Sequence, residues 1–262
     1  PWDRDWHATL VKILKELGAK KIVFDVIFSE KSNPEKDKIF AQSLQDAGNV
    51  YLAEIVDEVS SKETSLITSL PEFTEHIAGT GHINLRPDSD GVMRRIPLIM
   101  TVDDKPILQL SLAVAADVLG VKMKDIETSG HSVRIHLPDD KTIRIPLDRD
   151  NNLIINWLGR WKEAFIHYAY VDIVTSYAML KKGQVPTLPL SDFKDKICYI
   201  GTTATGLFDI RPIPFEPSYP AVGVNLTVLD NILERKFINE FNYGENLLIL
   251  VGLAMILFWI MK

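Results

Sequence analysis

Residues 18–56 read GAKKIVFDVIFSEKSNPEKDKIFAQSLQDAGNVYLAEIV, and this stretch decides the fold. Its first apolar run, residues 22–28 (IVFDVIF), predicts a strand buried on both faces, because apolar side chains fill both parities of a period-two element. Residues 50–56 predict a second such strand. Between them, Asn33 and Pro34 are suited to the N-cap and first turn of a helix that ends near Ala47 and Gly48. Upstream, Trp6, Leu10, Ile13, Leu14 and Leu17 recur at helical spacing, and Gly18 suits the C-terminal cap. Helix, strand, helix, strand with short links argues for a parallel α/β start.

Further along, residues 57–70 are polar and read as a loop, and Pro71 opens a short helix. Residues 81–99 (GHINLRPDSDGVMRRIPLI) read as strand, turn, strand, with Asp90 and Gly91 at the turn. Residues 108–119 are dense in Ala and Leu and predict a helix closed by Gly120. Residues 132–157 hold three short strands separated by two turns, which predicts an antiparallel meander. A helix over 171–180, a strand over 196–201, a proline-rich segment over 211–220 and a last helix over 223–235 follow. The expectation is an α/β fold with a mixed sheet: a parallel α/β N-terminal part, an antiparallel meander, flanking helices and a C-terminal transmembrane helix start. Residues 1–241 form one mixed domain in this reading.

Residues 247–261 (LLILVGLAMILFWIM) carry no charge. At ~1.5 Å per residue they span about 22 Å, short of the roughly 30 Å hydrocarbon core. Apolar character on every face, with Trp259 near the end, favours a transmembrane helix cut short over a buried C-terminal helix. Residues 242–262 are therefore expected to be the truncated start of a membrane helix. The abrupt opening at Pro1 suggests a second anchor upstream.

Composition narrows the function. The 262 residues are 46% hydrophobic, enough for a sizeable core. A net charge of −6 without a basic face argues against a nucleic-acid partner. Cys198, the single cysteine, lies in an apolar run; it cannot form an internal disulfide and reads as core. The six histidines show no zinc-ligand spacing, so no metal and no cofactor are expected. A Gly-x-Ser-x-Gly nucleophile elbow is absent.

Four features could carry chemistry. Residues 201–206 (GTTATG) follow a buried strand, and their amides could cradle an anion. Leu207 and Phe208 stand where a phosphate loop needs Lys and Ser or Thr, so nucleotide hydrolysis there is not expected, and a tight turn is the simpler reading. Asp25 interrupts an apolar strand, where a carboxylate lines a pocket or takes a structural partner. Asn84, Arg86, Asp88 and Asp90 alternate into the turn, facing Arg94 and Arg95 across it. These are ordinary ion pairs, or an arginine at a pocket rim that recognises an anion.

Several segments together resemble the type-2 CHASE domain (cyclase/histidine-kinase associated sensory extracellular). They are GAKKIVFDVIFSE (18–30), NVYLA (49–53), GHINLRPDSDGVMRRIPL (81–98), LSLAVAA (110–116), IPLDRDNNLIINWLG (145–159), FKDKICYIGTTATGLFD (193–209) and YPAVGVNLTVLDNIL (219–233). The resemblance implies an extracytoplasmic sensor with membrane helices on both sides. It also implies a cytoplasmic class III nucleotide cyclase, histidine kinase or Ser/Thr kinase as output. The chain departs from the family's closing Pro-Gly-Val-Glu-Ile-His-Ala at Ala221, Gly223 and Asn225. The expected function is signal sensing for a cyclase, without catalysis by this chain, as a membrane-bound homodimer responding to a small-molecule or physical signal. A membrane-anchored extracytoplasmic enzyme is the alternative, and a scaffold that only assembles the receptor is a third. The ligand site is expected at the strand ends, from Asp25, Arg86, Thr202, Thr203 and Asp209, because open α/β sheets bind ligands outside strand C-termini.

Overall fold

Helix α1 (Arg4–Glu16), strand β1 (Lys21–Phe24), helix α2 (Pro34–Ala47) and strand β2 (Val50–Ser60) follow one another in the order expected. A computed structural model describes residues 2–60, 63–203, 210–241 and 243–261. β1 and β2 pair in parallel, with Ile22 opposite Val50 and Phe24 opposite Leu52. Asn33 starts α2 by accepting the backbone N–H groups of Glu35 and Lys36, and Gly48 ends it at φ 66°. β1 is shorter than residues 22–28. Its ladder ends at Phe24, where both neighbouring registers stop. Phe28 remains buried outside the sheet, and its N–H is satisfied by Ser69 Oγ at 2.9 Å.

Past residue 56, β2 continues and turns back as β3 (Glu63–Ile67), antiparallel, with Ile55 opposite Ile67. Residues 57–70 therefore contain a strand where a loop was expected. The arm is exposed at Asp57, Ser65 and Ile67, so its polar side chains keep their water while the backbone pairs. Helix α3 (Pro71–Thr74) leads to β4 (Gly79–His82), which returns to β2 in parallel. The strand–turn–strand expected over 81–99 is not a hairpin. The Asp90–Gly91 turn exists, with Gly91 N–H on Asp88 O at 2.8 Å. Its second strand, β5 (Arg95–Pro97), does not pair with β4 but with a later one. Burial decides this: β4 gains more from the central sheet, where His82 is fully covered.

Next come β6 (Ile99–Val102) and β7 (Lys105–Leu108), joined by Asp103 and Asp104 at positive φ, as a tight hairpin requires. Helix α4 (Leu110–Val118) follows, then β8 (Ile126–Thr128), β9 (Ser132–His136), β10 (Thr142–Pro146) and β11 (Asn152–Ile154). The meander is corrected in its third member. β8 flanks β9 and β10, whereas β11 crosses to β5, where Leu153 and Ile96 are both fully buried. Helices α5 (Trp161–Ala164) and α6 (Tyr170–Lys181) precede β12 (Ile197–Ile200), which pairs with the other edge of β1. The proline-rich segment forms a hairpin of β13 (Ile210–Ile213) and β14 (Glu216–Pro220). Helix α7 (Ala221–Glu234) and helix α8 (Tyr243–Ile260) complete the chain.

The central sheet runs β12-β1-β2-β3, with β4 also on β2. Alternation along β1 sends Ile22 and Phe24 into one core with Leu10, Phe40 and Leu52, under α1 and α2. It sends Val23 into the other, with Tyr51, Leu112, Val224 and Val228, under α4 and α7. Burial on both faces is thus as the sequence predicts.

α8 has 18 residues, about 27 Å in length, and its side chains over 247–251 and 255–260 are exposed. Among the described residues no helix is long and apolar enough to cross a membrane.

Gly81 sets how closely β4 lies beneath α4. A Cβ there would fall 2.5 Å from Leu110 Cα and 2.8 Å from its nitrogen. Gly81→Ala is expected to force strand and helix apart and to destabilise the domain by about 2 kcal/mol. A urea midpoint that falls without a change of slope would be the expected result, and an unchanged midpoint would contradict this packing.

Candidate functional site

A cavity of about 100 Å³ lies off the C-terminal ends of β12, β1 and β4, closed by the first turns of α7. Its lining is Asp25, Ile83, Leu85, Thr202, Ala221, Val222 and Asn225. Each wall follows from the fold. Asp25 is the first residue after β1, and its N–H still reaches Ile200 O at 2.8 Å. Ile83 and Leu85 follow β4, and Thr202 follows β12 after Gly201. A Cβ on Gly201 would lie 2.7 Å from Val222 Cβ, so glycine is needed there for the approach of α7. That favours a tight-turn role for Gly201 over a phosphate cradle.

Behind the cavity runs a buried chain of polar side chains. Gln109 caps α4, its Oε1 accepting the N–H groups of Ser111 (2.7 Å) and Leu112 (3.2 Å). Gln109 Nε2 donates to Asn225 Oδ1 at 2.7 Å, and Asn225 Nδ2 donates to Asp25 Oδ2 at 3.2 Å. Ser111 Oγ donates to Asn225 O at 2.6 Å and meets the Tyr199 hydroxyl at 3.0 Å. Burial, with the Asp25 charge adding to it, pushes the Tyr199 hydroxyl above its ordinary pKa and keeps it protonated.

On the opposite face of the sheet, Glu54 and His82 are register partners and both are buried. Neither ring nitrogen of His82 has a hydrogen-bond partner among the described residues. Burial, helped by the charge of Arg86, holds His82 down to about 3. Burial also raises Glu54, with a hydrogen bond from Thr80 opposing it.

Of the expected site residues, Asp25 and Thr202 line the cavity. Thr203 and Arg86 are exposed and lie outside the lining. Asp209 falls outside the described residues. Strand alternation explains Arg86: Ile83 and Leu85 reach the cavity, while Asn84 instead pairs with Val56 through its carboxamide (2.9 and 2.7 Å). The turn charges are structural. Arg94 pairs with Asp88 and Asp90, and Arg95 with Asp88 and the buried Asp148. Asn225, which the sequence marks only as a departure from the family pattern, also lines the cavity, and its partner Gln109 was the residue missed. At Gly223 a Cβ would meet Tyr219 at 2.6 Å and Trp161 at 2.8 Å, so this packing has no room for an acidic side chain.

A larger cavity of about 430 Å³ opens beside α2, lined by Lys31, Ser32, Pro34, Asp37, Lys38, Ala41 and Glu72. Asp37 there is engaged by Arg4 and by both the N–H and the hydroxyl of Ser32. It is a surface hollow without a polar chain leading into the core. Among the described residues no group of three or more His, Cys, Asp or Glu could hold a metal ion.

The CHASE2 domain family model matches residues 1–261. No curated protein and no solved structure matches the chain.

The buried histidines predict a pH dependence. His82 is held at about 3 and His7, by burial and the Arg4 charge, at about 4, against about 6.5 unfolded. Below pH 6.5 the unfolded chain gains protons that the folded chain refuses, so this stability is full above 6.5 and is lost as pH falls toward 3. His82→Leu is expected to flatten the fall in urea midpoint between pH 7.5 and 5. An unaltered slope would remove His82 from the account.

Proposed function

We propose a signal-sensing role for this chain, which belongs to the CHASE2 domain family, an extracellular sensory domain family of signalling receptors. The carrying observation is that one wall of the cavity is α7 itself, through Ala221, Val222 and Asn225. A compound that enters between Asp25 and α7 binds one placement of the helix better than another and shifts the population between them. Residues 235–241 pass that change to α8. The family supports an extracytoplasmic position for the domain, and the exposed apolar surface of α8 supports contact with a membrane.

The output is a cytoplasmic class III adenylate or guanylate cyclase in this reading, with a histidine or Ser/Thr kinase as the alternative. The family resemblance supports the cyclase, and such outputs work as dimers, so the receptor acts as a homodimer. In this reading the chain senses and does not catalyse, which the sensory character of its family supports.

A thermal-shift screen of small metabolites against the whole chain tests this. A ligand that favours the folded state raises the melting temperature by mass action, equivalent to about 2.7 kcal/mol at one hundred times its Kd. The expected result is a saturable rise that Asn225→Ala and Asp25→Ala abolish. Substrate turnover by the purified chain, lost in Asp25→Asn, would instead favour a membrane-anchored enzyme.

A further inference from the structure

The sheet of β8, β9 and β10 has one buried and one exposed face. Val133, Ile135, Ile143 and Ile145 fill the buried face and belong to the core under α4 and α7. Alternation therefore puts Arg134 and His136 of β9, and Thr142 and Arg144 of β10, on the outer face, where all four are exposed. The register sets Arg144 directly opposite Arg134, and Thr142 opposite His136. A slip by one residue would carry the arginines into the core, so the packing beneath holds them side by side. Opposite residues have Cβ atoms roughly 4.5–5.5 Å apart, and like charges there destabilise the pair. Arginine does not escape by losing its proton.

Nearby carboxylates of the chain are engaged elsewhere. Glu127 stands in the same row, opposite Arg134 on its other side, but its Oε1 shares a 2.9 Å hydrogen bond with His136 Nε2. His136 Nδ1 meets Thr142 Oγ1 at 3.1 Å, which holds the ring over the neighbouring row. At the turn between β9 and β10, Asp139 pairs with Lys141. Among the described residues the side chains of Arg134 and Arg144 have no ion pair and no hydrogen bond. Another part of the chain shows what two adjoining guanidiniums hold. Arg94 Nη1 lies 2.9 Å from one oxygen of Asp88, and Arg95 Nε lies 3.2 Å from the other. One oxyanion there bridges two arginines.

We infer that Arg134 and Arg144 form a surface site for a phosphate dianion, free or carried on a lipid as a phosphomonoester. A singly charged group on one exposed cation gains little. A dianion with several oxygens meets both guanidinium forks at once and cancels the repulsion that the register imposes. None of the residues lining the cavity beside α7 belongs to these strands, so this site is separate from that one.

The test is a backbone-amide NMR titration of the whole ¹⁵N-labelled chain in non-ionic micelles, at constant ionic strength and about pH 7.5, where phosphate is largely doubly charged. Saturable shifts of the Arg134 and Arg144 amides are expected with inorganic phosphate, with Kd on the order of 10 mM for an exposed pair. Acetate should bind at least fivefold more weakly. Arg134→Gln and Arg144→Gln leave the buried face of the sheet intact, and each should weaken phosphate at least fivefold. Equal binding of acetate overturns the dianion class. Undiminished phosphate binding in both variants overturns the assignment to these arginines. No saturable shift at concentrations well above that Kd overturns the site. Phosphatidic acid mixed into the micelles then identifies the source. Saturation at a tenfold lower phosphate concentration than with the inorganic ion assigns the site to a lipid head group. Saturation only at an equal or higher concentration assigns it to a soluble phosphate, and either result upholds the phosphate class.

Discussion

Gln109 and Asn225 stand 116 residues apart and share a buried hydrogen bond of 2.7 Å. It joins the start of α4 to the second turn of α7, two helices that pack on each other over one face of the sheet. A buried carboxamide is tolerated only when its donors and acceptors are met, and a group left unpaired costs roughly 1–3 kcal/mol. Here each amide satisfies the other. Gln109 also caps α4, and Asn225 also reaches Asp25 at the end of β1. One interaction therefore sets the height of α7 over the sheet and the shape of the cavity between them.

The sheet supplies the frame for this arrangement. β12, β1, β2 and β4 run in parallel, so their C-terminal ends open on the same side. Apolar side chains on alternate positions bury both faces, which holds β1 in place from α1 and α2 below and from α4 and α7 above. Such a strand has little freedom. Its first residue outside the ladder, Asp25, is fixed by its own N–H on Ile200 and by Asn225. The mobile partner in this scheme is α7, which borders the cavity at one end and leads toward α8 at the other.

Much of this was legible in the sequence where local rules apply. The caps of α2 and the two-sided burial of Ile22, Val23 and Phe24 follow from residue type and period. The overestimated length of β1 has a plain cause: Phe28 stays buried after the ladder ends, and apolar pattern reports burial rather than backbone pairing. The Asp90–Gly91 turn was legible, but its flanking strands found distant partners, β2 and β11, that no local signal marks. Asp25 and Thr202, expected from the strand-end rule, line the cavity. Arg86 lies outside that lining, because the apolar residues between the polar ones, Ile83 and Leu85, face the cavity. The Gln109–Asn225 pair could not be read at all, since single amides far apart form no motif.

A double-mutant cycle on Gln109→Ala and Asn225→Ala, followed by urea unfolding of the whole chain, tests the central claim most directly. If the two amides form one unit that seats α7 on the sheet, their effects will be non-additive, with a coupling of about 1–3 kcal/mol. Additive losses, with a coupling below about 0.5 kcal/mol, would mean that each residue is held independently. The chain from α4 to Asp25 would then not be what positions α7.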